Sequence, residues 1–123
     1  MKAKRPVNLN LFTIRLPLPA IVSILHRISG IILFLGSPIL LFFLQQSLHS
    51  EETFNQLKTL FSQPMAKGLW ILFLAGVTYH LVAGIRHVVM DLGYGESLKA
   101  GRATSAAVIL VTIVLTLMIG VWL

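Results

Sequence analysis

Three stretches of this chain carry no charge for long enough to cross a bilayer, and nothing else in the sequence restricts the fold so tightly. Ile28 to Leu48 is a run of 21 uncharged residues, Gly68 to Ile85 a run of 18, and Ala103 to Leu123 a run of 21. About twenty helical residues rise about 30 Å, the thickness of a hydrocarbon core. Backbone at that depth must satisfy its own hydrogen bonds, which a helix does within each segment. The expectation is an all-α integral membrane protein with three transmembrane helices, built as a single membrane-anchor domain. The composition agrees: 56% of residues are hydrophobic, 11% are charged, and the mean hydropathy is +0.86.

Breakers and charges set the expected boundaries. Residues 1–19 form a cytoplasmic arm, because Pro17 and Pro19 interrupt any long helix there. Helix one covers 20–48, with Pro38 kinking its middle and Ser37 placed to satisfy a carbonyl that the proline frees. Residues 49–63 read as a polar external loop with room for a short amphipathic helix. Helix two covers 64–90, residues 91–102 form a cytoplasmic loop, and helix three covers 103–123. No cleavable signal peptide is expected, since the first 20 residues hold three prolines and no continuous apolar core.

The net charge of +6 does not point to nucleic acid, because the cations cluster at the ends of the apolar runs. The arm and second loop hold Lys2, Lys4, Arg5, Arg15, Arg27, Arg86, Lys99 and Arg102, against Lys58 and Lys67 in the first loop. The positive-inside rule then puts the N-terminus in the cytoplasm. The chain has no cysteine, so thiolate metal sites and iron–sulfur clusters are excluded. Any redox centre here must rely on histidine.

One histidine is well placed for that. His80 lies within the second apolar run, where an ionisable side chain is expensive. Gly76 and Gly84 sit four residues to either side, on the same helix face. The three residues describe a flat groove with an imidazole at its centre, suited to a planar macrocycle and an axial bond to haem iron. The plainer reading is a small-residue helix contact with His80 hydrogen-bonded across it. Three helices bury little against one another, so a partner membrane subunit is expected on that face.

Two polar clusters lie toward the cytoplasmic ends. On helix one, Ser23 and Arg27 are four apart, with His26 adjacent; on helix two, Arg86 and His87 follow His80. Arginines at that depth suit carboxylates such as haem propionates. Ser23 and Arg27 suit the carbonyl oxygens of a quinone, and the negative charge that grows on them during reduction. Against these stand a serine bonding its own backbone and an ordinary membrane-anchoring arginine. Asp91 is placed to pair with Arg86 or His87. No chemical role is expected of His49.

The stretch Arg5-Pro6-Val7, then Leu11 and Leu18, then Ser23-Ile24-Leu25-His26-Arg27-Ile28-Ser29, resembles the cytochrome b membrane-anchor subunit of succinate dehydrogenase (respiratory complex II). So does His80-x-x-x-Gly84-Ile85-Arg86-His87 through Met90-Asp91-x-Gly93. The resemblance covers roughly residues 5–123. It implies an inner-membrane subunit packed with a second small membrane anchor and carrying a flavoprotein and an iron–sulfur subunit. By that resemblance His80 is one axial ligand of haem b, the partner anchor supplying the other histidine. Ser23, Ile24 and Arg27 line the quinone site, and His26, Arg27 and His87 approach the haem propionates. The chain offers no dehydrogenation chemistry of its own, so succinate oxidation belongs to the flavoprotein. The alternatives are the anchor of a quinol:fumarate reductase, a transporter subunit with His80 in a proton path, and an anchor without cofactor. No acidic residue lies within a span, which disfavours the transporter; a cofactor-free anchor leaves His80 without a purpose.

Overall fold

A computed structural model describes residue 10 and residues 13–123. The motif positions Arg5, Pro6, Val7 and Leu11, and the cations Lys2 and Lys4, lie outside the described residues. Four helices follow in order: α1 (Leu18–His49), α2 (Glu51–Ser62), α3 (Pro64–Asp91) and α4 (Leu98–Trp122). There is no strand among the described residues. Helices α1, α3 and α4 are each long and apolar enough to cross a membrane. At 1.5 Å per residue α1 is about 48 Å long, so it projects beyond a bilayer core.

Local chemistry explains the helix ends and how α1 accommodates its internal proline. Helix α1 starts behind Pro17, with Pro19 in its first turn, and α3 starts on Pro64. Pro38 has no N–H for the carbonyl of Phe34 four residues back. The hydroxyl of Ser37 donates to that carbonyl at 2.8 Å, as the sequence anticipates. Helix α2 is the short helix for which the polar stretch 49–63 left room. The Ser50 hydroxyl accepts from the Thr53 N–H, and the Thr53 side chain accepts from the Ser50 N–H. Thr53 also donates to the Gln46 carbonyl at 2.7 Å, folding α2 back against the end of α1.

Helix α4 begins at Leu98, five residues before the expected Ala103, because the Ser97 hydroxyl caps it by accepting from the Ala100 N–H. Lys99 and Arg102 therefore ride on the helix rather than in a loop. The short turn from α3 contains Gly93 and Gly95, both at positive φ, where a side chain would be strained.

The three long helices meet at the end where α1 and α4 begin and α3 finishes. Val22, Ala83 and Val108 are buried there, with Leu18, Tyr79, Val82 and Ile109 packed around them. Gly101 of α4 lies beside the start of α1, where a Cβ would stand in ordinary contact with the Pro19 ring at 3.9 Å. A polar side chain ties the junction, where the Tyr79 hydroxyl of α3 donates to the Val22 carbonyl of α1 at 2.6 Å, while the buried Ser105 hydroxyl satisfies itself within α4 on the Gly101 carbonyl at 2.7 Å. Toward the other end α3 and α4 diverge, leaving a cleft of about 990 Å³ lined by Leu81, Val82, Met118 and Trp122 among others. Most large apolar side chains point outward, including Phe34, Leu35, Leu72 and Leu117. This surface suits lipid or another membrane chain.

Candidate functional site

The inward face of α1 at the crowded end reads Val22, His26, Ser29, Gly30, a spacing of three and four that keeps all of them on one stripe. Opposite it, α3 presents Tyr79, His80, Ala83, Gly84 and His87. The His26 and His80 rings stack with centroids 4.2 Å apart and planes within 9°. The His87 ring lies on the other side of the contact, 4.9 Å from His26 and tilted by 44°. Three imidazoles thus meet between two helices. They meet as rings: among the described residues no three His, Cys, Asp or Glu side chains converge as a metal-binding group.

His80 does not stand free in a groove between Gly76 and Gly84. Its ring leans onto α1, and a Cβ at Gly30 would come within 3.1 Å of its Cε1 atom. A Cβ at Gly76 would meet nothing, while one at Gly84 would lie 3.4 Å from Nε2 of His26. The glycine that His80 needs is therefore on α1. Its Nδ1 atom is 3.2 Å from the His26 carbonyl oxygen and 3.0 Å from the Ser29 hydroxyl. A carbonyl can only accept, so in the neutral ring Nδ1 carries the proton and the lone pair sits on Nε2.

His87 completes the cluster with an Nε2 atom that is buried and has no hydrogen-bond partner. Such orphaned atoms are rare in native structures and want an explanation. Arg86, expected beside His87 at the polar junction, turns the other way. It is buried against α4, where Nε donates to the Thr104 hydroxyl at 3.0 Å and a terminal nitrogen to the Gly101 carbonyl at 3.3 Å. Asp91 makes no ion pair with it among the described residues, where Arg86 works as a clamp between α3 and α4.

Ser23, Ile24 and Arg27 form a second group on a different face of α1. Ile24 and Arg27 are exposed and Ser23 is half-buried. Ser29, Ser37 and Ser47 all donate to carbonyls three residues back. Ser23 makes no such bond among the described residues, and Arg27 makes no ion pair there. A hydroxyl and a guanidinium thus project from one apolar helix face with no bond to a side chain among the described residues. His26, His80 and His87 are brought together; Ser23, Ile24 and Arg27 stand apart from them on the outer surface.

Sequence reasoning missed Ser29, Gly30 and Tyr79. A signal for the first two was available: they lie three and four residues after His26, and only small side chains there would admit a ring from the facing helix.

Comparison with known proteins identifies the family. The succinate dehydrogenase/fumarate reductase transmembrane subunit family matches residues 1–119. A succinate dehydrogenase cytochrome b556 subunit from Coxiella burnetii is 42% identical over 125 residues, covering 100% of this chain and 99% of its own. The protein of the same name from Rickettsia prowazekii is 35% identical, covering 96% and 92% of the two chains. That from Paracoccus denitrificans is 31% identical, covering 95% and 90%. With three membrane-spanning helices and a match across nearly its whole length, the chain belongs to the succinate dehydrogenase/fumarate reductase transmembrane subunit family, as a cytochrome b membrane anchor of succinate dehydrogenase in the inner membrane.

Proposed function

We propose that this anchor holds haem b through His80 and offers Ser23, Ile24 and Arg27 to a quinone, so that electrons from succinate reach the membrane pool beside it. The observation that carries the reading is the state of the His80 ring. Nδ1 is engaged by α1, which leaves the Nε2 lone pair for iron. A metal-ligating histidine commonly donates its other N–H to a carbonyl in this way. The residues present fit the group: His80 has one nitrogen free, and the orphaned Nε2 of His87 has a use if its ring turns to a propionate. His26 and Arg27 supply further donors at that end. A second histidine, from a partner membrane anchor, would complete the axial pair. When bound, the haem supplies reversible one-electron chemistry.

The chain's own residues position and stabilise. The Ser23 hydroxyl and the Arg27 guanidinium donate to quinone carbonyl oxygens, and Ile24 gives an apolar wall to the ring. Charge grows on those oxygens as electrons arrive, and a fixed guanidinium in an apolar setting lowers that cost. Because this group lies on the outer side of α1, the remaining walls come from other subunits; the flavoprotein oxidises succinate and the iron–sulfur protein passes its electrons on. The positive-inside distribution places this end at the cytoplasmic face. A site for quinone reduction equally permits quinol oxidation; the names of the relatives quoted favour succinate oxidation.

Kinetics on the complex purified through a tag on this chain test the quinone half of the reading. Arg27→Ala lowers kcat/KM for quinone by on the order of 10²-fold, the scale for one donor to a developing oxyanion. Oxidation of succinate by a soluble dye serves as the control for intact catalytic subunits. An Arg27→Ala complex that reduces quinone at the wild-type rate refutes the assignment.

A further inference from the structure

We infer that Ser29 is the positioning residue of His80: its hydroxyl accepts the Nδ1–H, fixes the plane of the ring and keeps Nε2 free. This rests on the reading of His80 as a haem ligand and goes beyond it, because it names the side chain in this protein that sets how the ligand is presented.

The chain of hydrogen bonds has one direction. The Ser29 hydroxyl donates to the His26 carbonyl at 2.7 Å. Its single proton is then committed, so toward Nδ1, 3.0 Å away, it can only accept. Nδ1 therefore donates into two acceptors, the Ser29 oxygen and the His26 carbonyl, and both demand the same tautomer. Donation back to a carbonyl is common along α1, since Ser37 and Ser47 do the same. Those two approach no ring nitrogen, whereas Ser29 is buried at 6% exposure against one. The His80 ring edge fits the space that a side chain at position 30 would take, His26 covers its face and the two acceptors hold Nδ1, so rotation about χ2 is restricted.

The consequence is electronic as well as steric. A hydrogen bond from Nδ1–H makes Nε2 a stronger donor, which favours oxidised over reduced iron. Loss of the Ser29 acceptor should raise the midpoint potential of the haem and alter the low-spin electron paramagnetic resonance signal, which reports the orientation of axial ligand planes. A serine serving only to pack two helices would move neither quantity once the complex is assembled.

The test uses the whole complex, with Ser29→Ala, Ser29→Thr and His80→Ala beside the wild type. Redox titration of the b-type optical band and the resonance spectrum are recorded on each. The inference predicts a positive shift in potential and an altered signal for Ser29→Ala, with Ser29→Thr close to wild type because the hydroxyl is retained. An unchanged potential and signal in Ser29→Ala, alongside haem loss in His80→Ala, overturns the role of Ser29 and leaves His80 as ligand. If His80→Ala keeps the wild-type spectrum, the ligand assignment falls and this inference with it. Should Ser29→Ala fail to assemble, Ser29→Thr decides: wild-type behaviour supports the hydroxyl, and a shift or loss despite it overturns the inference in favour of packing.

Discussion

Helices α1 and α3 use one device twice, with opposite chemistry. Near the start of α1 the imidazole of His80 lies against Gly30; further along, the phenyl ring of Phe73 lies against Gly36. The helices run antiparallel, so a step of six residues along α1 matches a step of seven back along α3. At the second site the ring is apolar and its neighbours continue in kind. Phe73 stacks on Trp70, Trp70 contacts Phe61 of α2, and Phe61 meets Phe43 edge-on. At the first site the ring is polar, as are its neighbours: two further histidines, a buried serine and a carbonyl. A phenyl ring at that first site would pack as well and need no partner. Histidine brings a donor that must be satisfied and a lone pair that is left over. The difference between the two ends therefore lies in what a ring can offer beyond its area, and it separates the region proposed to hold chemistry from the region that holds shape.

That contrast can be attacked from either end. The largest loss of stability is expected for Gly36→Ala, because the new Cβ would come within 2.7 Å of a rigid Phe73 ring atom. Overpacking of this kind costs about 1–3 kcal/mol, measured as thermal dissociation of the complex in mild detergent, while the haem spectrum stays as in wild type. Gly30→Ala meets its ring at 3.1 Å, a milder overlap. We expect about 1 kcal/mol of lost stability, together with a displaced optical band, since the ring it moves is His80. If the two substitutions gave the same pair of responses, the division of the interface into two kinds would fail. Ser37→Ala is the smallest change. It strips the Phe34 carbonyl of its donor beside Pro38 and should cost about 1 kcal/mol or less, with no spectral effect.

The fold was readable where hydrocarbon dictates sequence. Uncharged runs of bilayer length located α1, α3 and α4, and the pairing of Ser37 with Pro38 foretold a hydrogen bond between side chain and backbone. What escaped was governed by local caps rather than by lipid. The start of α2, a short helix for which the sequence left room, is set by Ser50 and Thr53 without the usual Glu or Gln at the third position, and Ser97 starts α4 ahead of two cations that look like loop residues. The charge-free run marks the buried part of a helix, not its beginning. Arg86 shows a second limit: its place at the end of an apolar run suggested a group facing the membrane surface, yet it is buried against Thr104 and Gly101. Helical spacing on α3 did not reveal that the His80 ring packs beside Gly30, because the sequence of α3 alone cannot say which residues of α1 it meets.

The central claim is that His80 is the ring with chemistry to offer. The direct measurement is the dithionite-reduced minus oxidised optical spectrum of the complex purified through a tag on this chain, for wild type and His80→Ala in parallel. The account predicts a b-type α-band and Soret shift in wild type, lost or altered in the variant. A wild-type complex without that band, or a variant with the same spectrum as wild type, would contradict it and return His80 to a helix-packing role like that of Phe73.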